Sequence, residues 1–305
     1  MPGIVLVLGA SGLFGSRVAE AFTSSGWTVR RYRRGSDMAS AAMGADLIVN
    51  ALNPPMYHDW ARLIPAITDQ VIAAGLASGA TVLVPGNVYV YGDQPGPWGP
   101  DTPHHPRSRK GQIRTTMEAS YRKASLRGLR VIILRGGDFL DAAGKGAMMN
   151  AFILRSLKSG KITIGGGADV QRAYANLTDM AQVAVALADR RATLPAFADI
   201  PFAGLTFSMR DLKIEMERQL GRPLHISTFP WWIMRLAAPF WELARELPEM
   251  RYLFDTPHAL DAGPLQALLP DLKIASLADI VTAHLNAFGL LASGQVNINP
   301  NRAVA

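Results

Sequence analysis

The chain has 305 residues, 49% of them hydrophobic, a formal net charge of +7 and no cysteine. This excludes disulfide frameworks, thiolate chemistry and a disordered chain, and leaves enough length to bury a large core as one two-lobed unit or two domains. The basic residues are spread along the chain apart from one cluster at Arg30–Arg34. The charge therefore reads as a basic surface with an anionic small ligand, and no nucleic-acid partner is expected. No uncharged apolar run reaches the roughly 18 residues of a membrane span. No membrane partner is expected either, and the lack of cysteine suits a cytoplasmic protein.

Ile4 to Gly15 reads IVLVLGASGLFG. An apolar strand runs into three evenly spaced glycines and then a helix with Phe14, Val18, Ala21 and Phe22 on one face. Gly9 permits a tight turn, Gly12 lets a ligand approach the backbone, and Gly15 lets the helix pack close to the strand. Such a unit holds a dinucleotide pyrophosphate against the positive end of the helix. Ser11 adds a hydroxyl donor, and Leu13 and Phe14 in the first turn join the cofactor contacts. The GxxGxxG spacing resembles the short-chain dehydrogenase/reductase superfamily. The likeness is to its extended branch of nucleotide-sugar epimerases and dehydratases, and to its NmrA-like relatives. It runs clearly from about Ile4 to Leu187 and loosely beyond.

The second strand, Trp27 to Tyr32, ends in VRRYRRGSD. An acidic residue there would bind the adenosine ribose of NAD. Arginines stand in its place, and Arg33 and Arg34 are assigned to a 2′-phosphate, since a guanidinium matches phosphate geometry. NADP(H) is therefore expected over NAD(H). A third buried strand, Ala45 to Ala51, leads to the loop where Ala51, Leu52 and Asn53 are candidates to cover adenine and ribose. Trp60 to Ser78 reads as a helix.

Ala80 to Asp93 reads ATVLVPGNVYVYGD. Val90–Tyr91–Gly92 is similar to the VYG signature of the extended branch. In that register the catalytic Ser or Thr falls on Asn87, with Pro85 and Gly86 placed among the cofactor contacts. Gly92 to Arg109 is a loop over the cleft mouth. Its His104 and His105 are adjacent, so they do not converge on one ion, and no metal is expected.

Lys110 to Lys123 is helical. The family pair is Tyr-xxx-Lys, with a Glu four residues on. Glu118 fits that Glu, which puts Arg114 at the Lys and Lys110 at the Tyr, both on one helix face. The resemblance then implies a catalytic set of Asn87, Lys110 and Arg114. Lys110 is the acid for carbonyl reduction if burial beside Arg114 releases its proton. Tyr91 is the reserve acid, with Tyr89 and Asp138 as further substitutes. The family's substrate-facing Asn after the next strand, Leu129 to Arg135, falls on Asp138. Arg172 to Asp179 resembles the family motif Arg-x-Tyr-x-His-Val-x-Asp, so Arg172 is a candidate for a substrate phosphate; a structural arginine is the alternative.

Further helices are expected over 147–158, 180–190, from Ser208 to Leu220 and over 264–286, with short strands at Ile162–Ile164 and Pro223–Phe229. Phe229 to Leu247 is an aromatic helical run that suits core, a subunit contact or an apolar lid. The fold expected is an α/β Rossmann-like doubly wound parallel sheet with a smaller C-terminal substrate lobe. Residues 1–200 form the NAD(P) domain, with part of the substrate lobe inserted at about 138–170 by the extended-branch analogy. Residues 201–290 form the C-terminal lobe and 291–305 a tail. The resemblance implies an NADP(H)-dependent oxidoreductase or epimerase/dehydratase-like enzyme acting on a small carbonyl, hydroxyl or nucleotide-sugar substrate. A homodimer is a possible assembly. The rival reading is a non-catalytic NADP(H) sensor of NmrA type, which the replaced Ser and Tyr support.

Overall fold

The computed structural model describes residues 2–144 and 146–291. Residues 292–305 of the expected tail lie outside them. Six parallel strands form the main sheet in the order β2-β1-β3-β4-β5-β9. They are β1 (Ile4–Leu8), β2 (Thr28–Arg31), β3 (Leu47–Asn50), β4 (Thr81–Gly86), β5 (Val131–Arg135) and β9 (Phe197–Pro201). The inner strands β3 and β5 are buried along their whole length, as expected of strands covered on both faces. Helices α1 (Leu13–Ser24) and α5 (Leu177–Asp189) pack on one face. On the other lie α2 (Met38–Ala42), α3 (Trp60–Ser78) and α4 (Arg109–Ser125).

The chain leaves β1 for β2 on one side and then crosses to β3 on the other. The strand order reverses there, so the crevice of a doubly wound sheet opens between the carboxyl ends of β1 and β3. Beyond β1 the sheet has only β2, whose arginines therefore stand on an open edge.

Two smaller sheets build the second lobe. β8 (Arg172–Asn176) pairs with β6 (Asp138–Leu140) and β10 (Leu205–Phe207), while β7 (Lys161–Ile164) pairs with β11 (His225–Thr228). Their apolar faces meet α6 (Met209–Leu220) and α10 (Leu277–Ala287). Ser208 starts α6 and Ser276 starts α10, each in a reciprocal capping box with an Asp three residues on.

Three expected helices come out differently. The stretch 147–158 forms only a π-turn at Met149–Ile153 and a 3-10 turn at Leu157–Ser159. The Asn150 amide donates back to the carbonyls of Asp141, Ala142 and Gly144, competing with regular helix bonds. The last helical region splits into α9 (Gly263–Leu268) and α10, with Pro270 between them. The aromatic run splits at Pro239 into α7 (Trp232–Ala237) and α8 (Glu242–Glu246). No helix among the described residues is long and apolar enough to cross a membrane.

His258 locks the second lobe to the cleft-mouth loop. Its ring stacks on Trp98, with centroids 4.6 Å apart, and its Nδ1 donates to the Thr256 carbonyl at 2.8 Å. Burial pushes its pKa down to about 4, opposed by the Thr256 carbonyl, reinforced by Arg172 and opposed weakly by Asp138. In the unfolded chain a histidine titrates near about 6.5, so on acidification the unfolded state takes up the proton first. This contribution to stability is complete above that value and is lost as the pH falls towards about 4, on the order of 3 kcal/mol in all. Denaturant midpoints followed from about pH 7 to about pH 4 should fall less steeply in His258→Asn than in the wild type. Parallel curves would reject this role.

Candidate active site

Gly9 follows β1 with φ +78°, the left-handed region that glycine adopts without strain. A Cβ there would lie 2.7 Å from the Ala51 carbonyl oxygen, and one at Gly15 would overlap the Gly9 carbonyl oxygen. These two glycines bring β1, α1 and the end of β3 together. Gly12 is the N-cap of α1, is exposed, and offers no side-chain cap; the first turn holds no acidic residue. The N-terminal N–H groups of α1 and the exposed Ser11 thus face the crevice mouth without an anionic partner among the described residues. Phe14 is turned inward and stacks on Phe139 with centroids 6.2 Å apart, so only its backbone remains for a ligand. Leu13 is half-buried under the loop at Gly144, and Arg17 ties α1 to that loop through Asp141 at 2.9 and 3.0 Å.

Val7 of β1 pairs with Arg31 of β2. Gly9 and Arg33 therefore lie two residues on, at neighbouring strand ends. Arg33 and Arg34 are exposed, with no side-chain partner among the described residues. Arg30 differs, since its guanidinium donates to the Met43 carbonyl at 2.8 Å. Free guanidiniums of this kind match phosphate geometry.

Across the crevice, Asn53 accepts from Arg114 Nη2 at 2.8 Å, joining the β3 loop to α4. The Arg114 guanidinium lies 4.8 Å from the Trp60 ring centre, and its buried Nε has no partner. Leu52 closes this loop by donating its N–H to Asn50 Oδ1 at 3.3 Å. Pro85 and Gly86 end β4, and a Cβ at Gly86 would meet Ile133 at 2.6 Å, so β4 and β5 are pressed together there. Asn87 is half-buried. Its Oδ1 accepts from the Tyr89 N–H at 3.0 Å and its backbone carbonyl from Arg135 at 2.7 Å. The Asn87 amide N–H groups have no partner among the described residues.

Lys110 has other neighbours than expected. It is 1% exposed and ion-paired with Glu246 of α8 and Glu249, with the Tyr57 ring centre 4.9 Å from its Nζ. The like-charge setting beside Arg114 is thereby corrected: two carboxylates face the ammonium and fasten the C-terminal segment to α4. Tyr91 is fully buried, stacks on Trp98 at 5.1 Å and donates its hydroxyl to the Gly99 carbonyl at 3.0 Å. Its proton is engaged in holding the loop, and burial pushes its pKa up.

Tyr57 is the residue that sequence reasoning missed. Its hydroxyl lies 3.2 Å from that of Tyr89. Two phenols sharing one hydrogen bond use one of their two protons, and the second has no acceptor among the described residues. Tyr57 reaches this position from a backbone in which Met56, Tyr57 and Asp59 all have positive φ, at +54°, +63° and +45°. Such conformations cost about 1–3 kcal/mol each and cluster at functional sites. Burial raises the pKa of both phenols, that of Tyr89 well above its ordinary value.

Arg135 is the structural node beneath the site. It is fully buried and bonds Glu118 through both terminal nitrogens at 3.1 and 2.7 Å, and Asp199 at 3.2 and 2.6 Å. His104 is half-buried, with Nε2 3.7 Å from Glu118. His104, Glu118 and Asp199 converge closely enough for an ion, but the Arg135 guanidinium already bonds both carboxylates. The two substrate candidates also meet: Arg172 is ion-paired with Asp138 and lies 4.5 Å from the Phe254 ring centre. A substrate phosphate at Arg172 must displace or join that carboxylate.

No family model matches the chain, and no curated protein matches it in sequence. Solved structures do match in fold. The NAD complex of UDP-glucuronic acid 4-epimerase from Bacillus cereus superposes with a TM-score of 0.74 at 17% identity, covering 96% of this chain and 99% of that one. The NAD complex of UDP-glucose 4-epimerase from Brucella ovis gives 0.72 at 17% identity, covering 94% and 98%. An NAD-dependent NDP-hexosamine 5,6-dehydratase of tunicamycin biosynthesis gives 0.70 at 16% identity, covering 95% and 99%. The fold is thus the Rossmann-like α/β fold that these epimerase and dehydratase structures have, and the likeness spans both lobes.

Proposed function

We propose that the chain is an NADP(H)-dependent enzyme of the oxidoreductase or epimerase/dehydratase-like kind. It acts by hydride transfer on a small carbonyl or hydroxyl compound or a nucleotide sugar. The observation that carries this reading is the uncapped helix at Gly12 opening level with the unpaired Arg33 and Arg34. Residues 1–200 supply most of the cofactor side and 201–290 most of the substrate side. Ser11, Gly12 and the first N–H groups of α1 hold the pyrophosphate, and Arg33 and Arg34 the 2′-phosphate. Ala51, Leu52 and Asn53 cover the adenosine, and Arg114 holds a ribose or a substrate anion. When bound, the nicotinamide supplies the hydride. The Asn87 amide orients the substrate oxygen, and the Tyr57–Tyr89 pair holds the proton it needs. Both phenols are protonated at neutral pH, as a donor must be, while burial, which raises their pKa, opposes release of the proton until substrate is bound.

A second reading has its own observation. Lys110, at the position of the family tyrosine, is held by Glu246 and Glu249. That favours a non-catalytic NADP(H) sensor of NmrA type. Incubation with NADPH and a panel of carbonyl compounds and nucleotide sugars, scored by mass spectrometry, separates the two. Conversion supports the enzyme; no conversion, with NADPH changing the binding of a protein partner, supports the sensor. For the cofactor, calorimetry should show NADP binding more tightly than NAD. Arg34→Ser should weaken NADP by about tenfold to a hundredfold, the loss of one charge-assisted contact, and spare NAD. Equal wild-type affinities would retire the NADP preference.

A further inference from the structure

The segment from Trp231 to Arg251 turns apolar residues outward. Trp232, Ile233, Leu236, Phe240 and Trp241 are 60, 43, 68, 94 and 48% exposed. The inward places are already filled. Met234, Ala244 and Leu247 form a small buried cluster, and the Trp231 indole N–H donates to the Gly165 carbonyl at 2.7 Å. The five exposed residues lie outside that buried cluster.

The charges on the same segment are sorted by direction. Glu242 bonds His58, Glu246 bonds Arg109 and Lys110, and Glu249 bonds Lys110, so all three carboxylates are engaged on the protein side. Arg235, Arg245 and Arg251 are exposed, and none has a carboxylate partner among the described residues. The exposed aromatic and aliphatic residues thus share this segment with three exposed arginines that lack a direct carboxylate contact, although Arg245 still feels Glu242, on a chain of net charge +7.

We propose that this face docks the protein on an anionic lipid surface. Tryptophan and phenylalanine with leucine and isoleucine suit the boundary between headgroups and acyl chains, and the arginines meet lipid phosphates. Phe240 and Leu236, the most exposed, enter deepest. A second copy of this chain would set arginines against arginines, with like net charge on both sides. The docking is peripheral, since no described helix can cross a bilayer. It goes beyond the expectation of no membrane partner, which rested on the lack of a spanning stretch. The proposal does not depend on the catalytic reading.

The test is co-sedimentation of the full chain with vesicles of phosphatidylcholine alone or mixed with phosphatidylglycerol, with light scattering in the absence of lipid. Binding should be at least about tenfold stronger to the anionic vesicles and should weaken as salt is raised. Trp232→Ser combined with Phe240→Ser should cut it about tenfold or more while circular dichroism stays unchanged. Arg235→Gln with Arg245→Gln should remove the preference for anionic lipid. No sedimentation with either vesicle, or full binding by the Trp232 and Phe240 variant, would overturn the proposal. So would a wild-type dimer that this variant converts to monomer, because the face would then belong to a second copy.

Discussion

Replacing Arg135 with methionine should destabilise the fold by about 3–5 kcal/mol. The side chain is fully buried and bonds two carboxylates, Glu118 of α4 and Asp199 of β9, together with the Asn87 carbonyl. Methionine fills much of the volume but leaves two buried anions facing each other. The cost lies in those stranded charges more than in the lost pair. Burial already pushes the Asp199 pKa up, with Arg135 opposing; without the arginine the upward pressures of burial and Glu118 are opposed only by the lesser influence of His104. Urea denaturation near neutral pH measures the loss. Adding Glu118→Gln and Asp199→Asn to Arg135→Met should recover most of it, because neutral amides remove the stranded charge. A loss below about 1 kcal/mol in the single variant, or no recovery in the triple, would show that the network contributes little.

What could be read from the sequence follows how local each determinant is. The Gly9–Gly15 turn was legible because positive φ at Gly9 and close packing at Gly15 are demands that residue type alone answers. Trp60–Ser78 and the Ser208 cap were legible for a similar reason, one from its apolar stripe and the other from its hydroxyl. The surroundings of Lys110 were not. Its partners lie 136 and 139 residues away, and no periodicity reports a contact between α4 and a later lobe. Asp138 and Arg172 were each singled out by motif position, yet their pairing with one another is a tertiary fact. Tyr57 escaped notice because Met56 and Tyr57 are not residues that announce positive φ. The exposed direction of the Trp232–Trp241 face was hidden too, since a helical aromatic pattern reads the same whether its partner is core or something outside the chain.

The largest expected effect on chemistry falls on Tyr89. It follows β4 two residues after Asn87, whose Oδ1 accepts from its backbone N–H, so phenol and carboxamide are carried on one short turn. The phenol shares its single hydrogen bond with Tyr57, whose ring rests against the Lys110 ammonium. A substrate carbonyl oriented by the free Asn87 amide would take its proton from this pair. Once the panel yields a substrate, Tyr89→Phe should lower turnover by about a hundredfold to ten-thousandfold, the usual worth of a placed general acid. Binding of NADPH should change little. Tyr57→Phe should cost less, because Tyr89 keeps its own hydroxyl. Lys110→Met is the discriminating control, since Lys110 is the donor that the family register points to. If turnover falls at least tenfold in folded Lys110→Met while Tyr89→Phe is unaffected, the proton comes from the lysine despite its two carboxylates, and the phenol pair is packing. If Tyr89→Phe is lost and Lys110→Met retains most of its turnover, the lysine serves to fasten the C-terminal segment over the site. The acid has then moved from α4 to the end of β4.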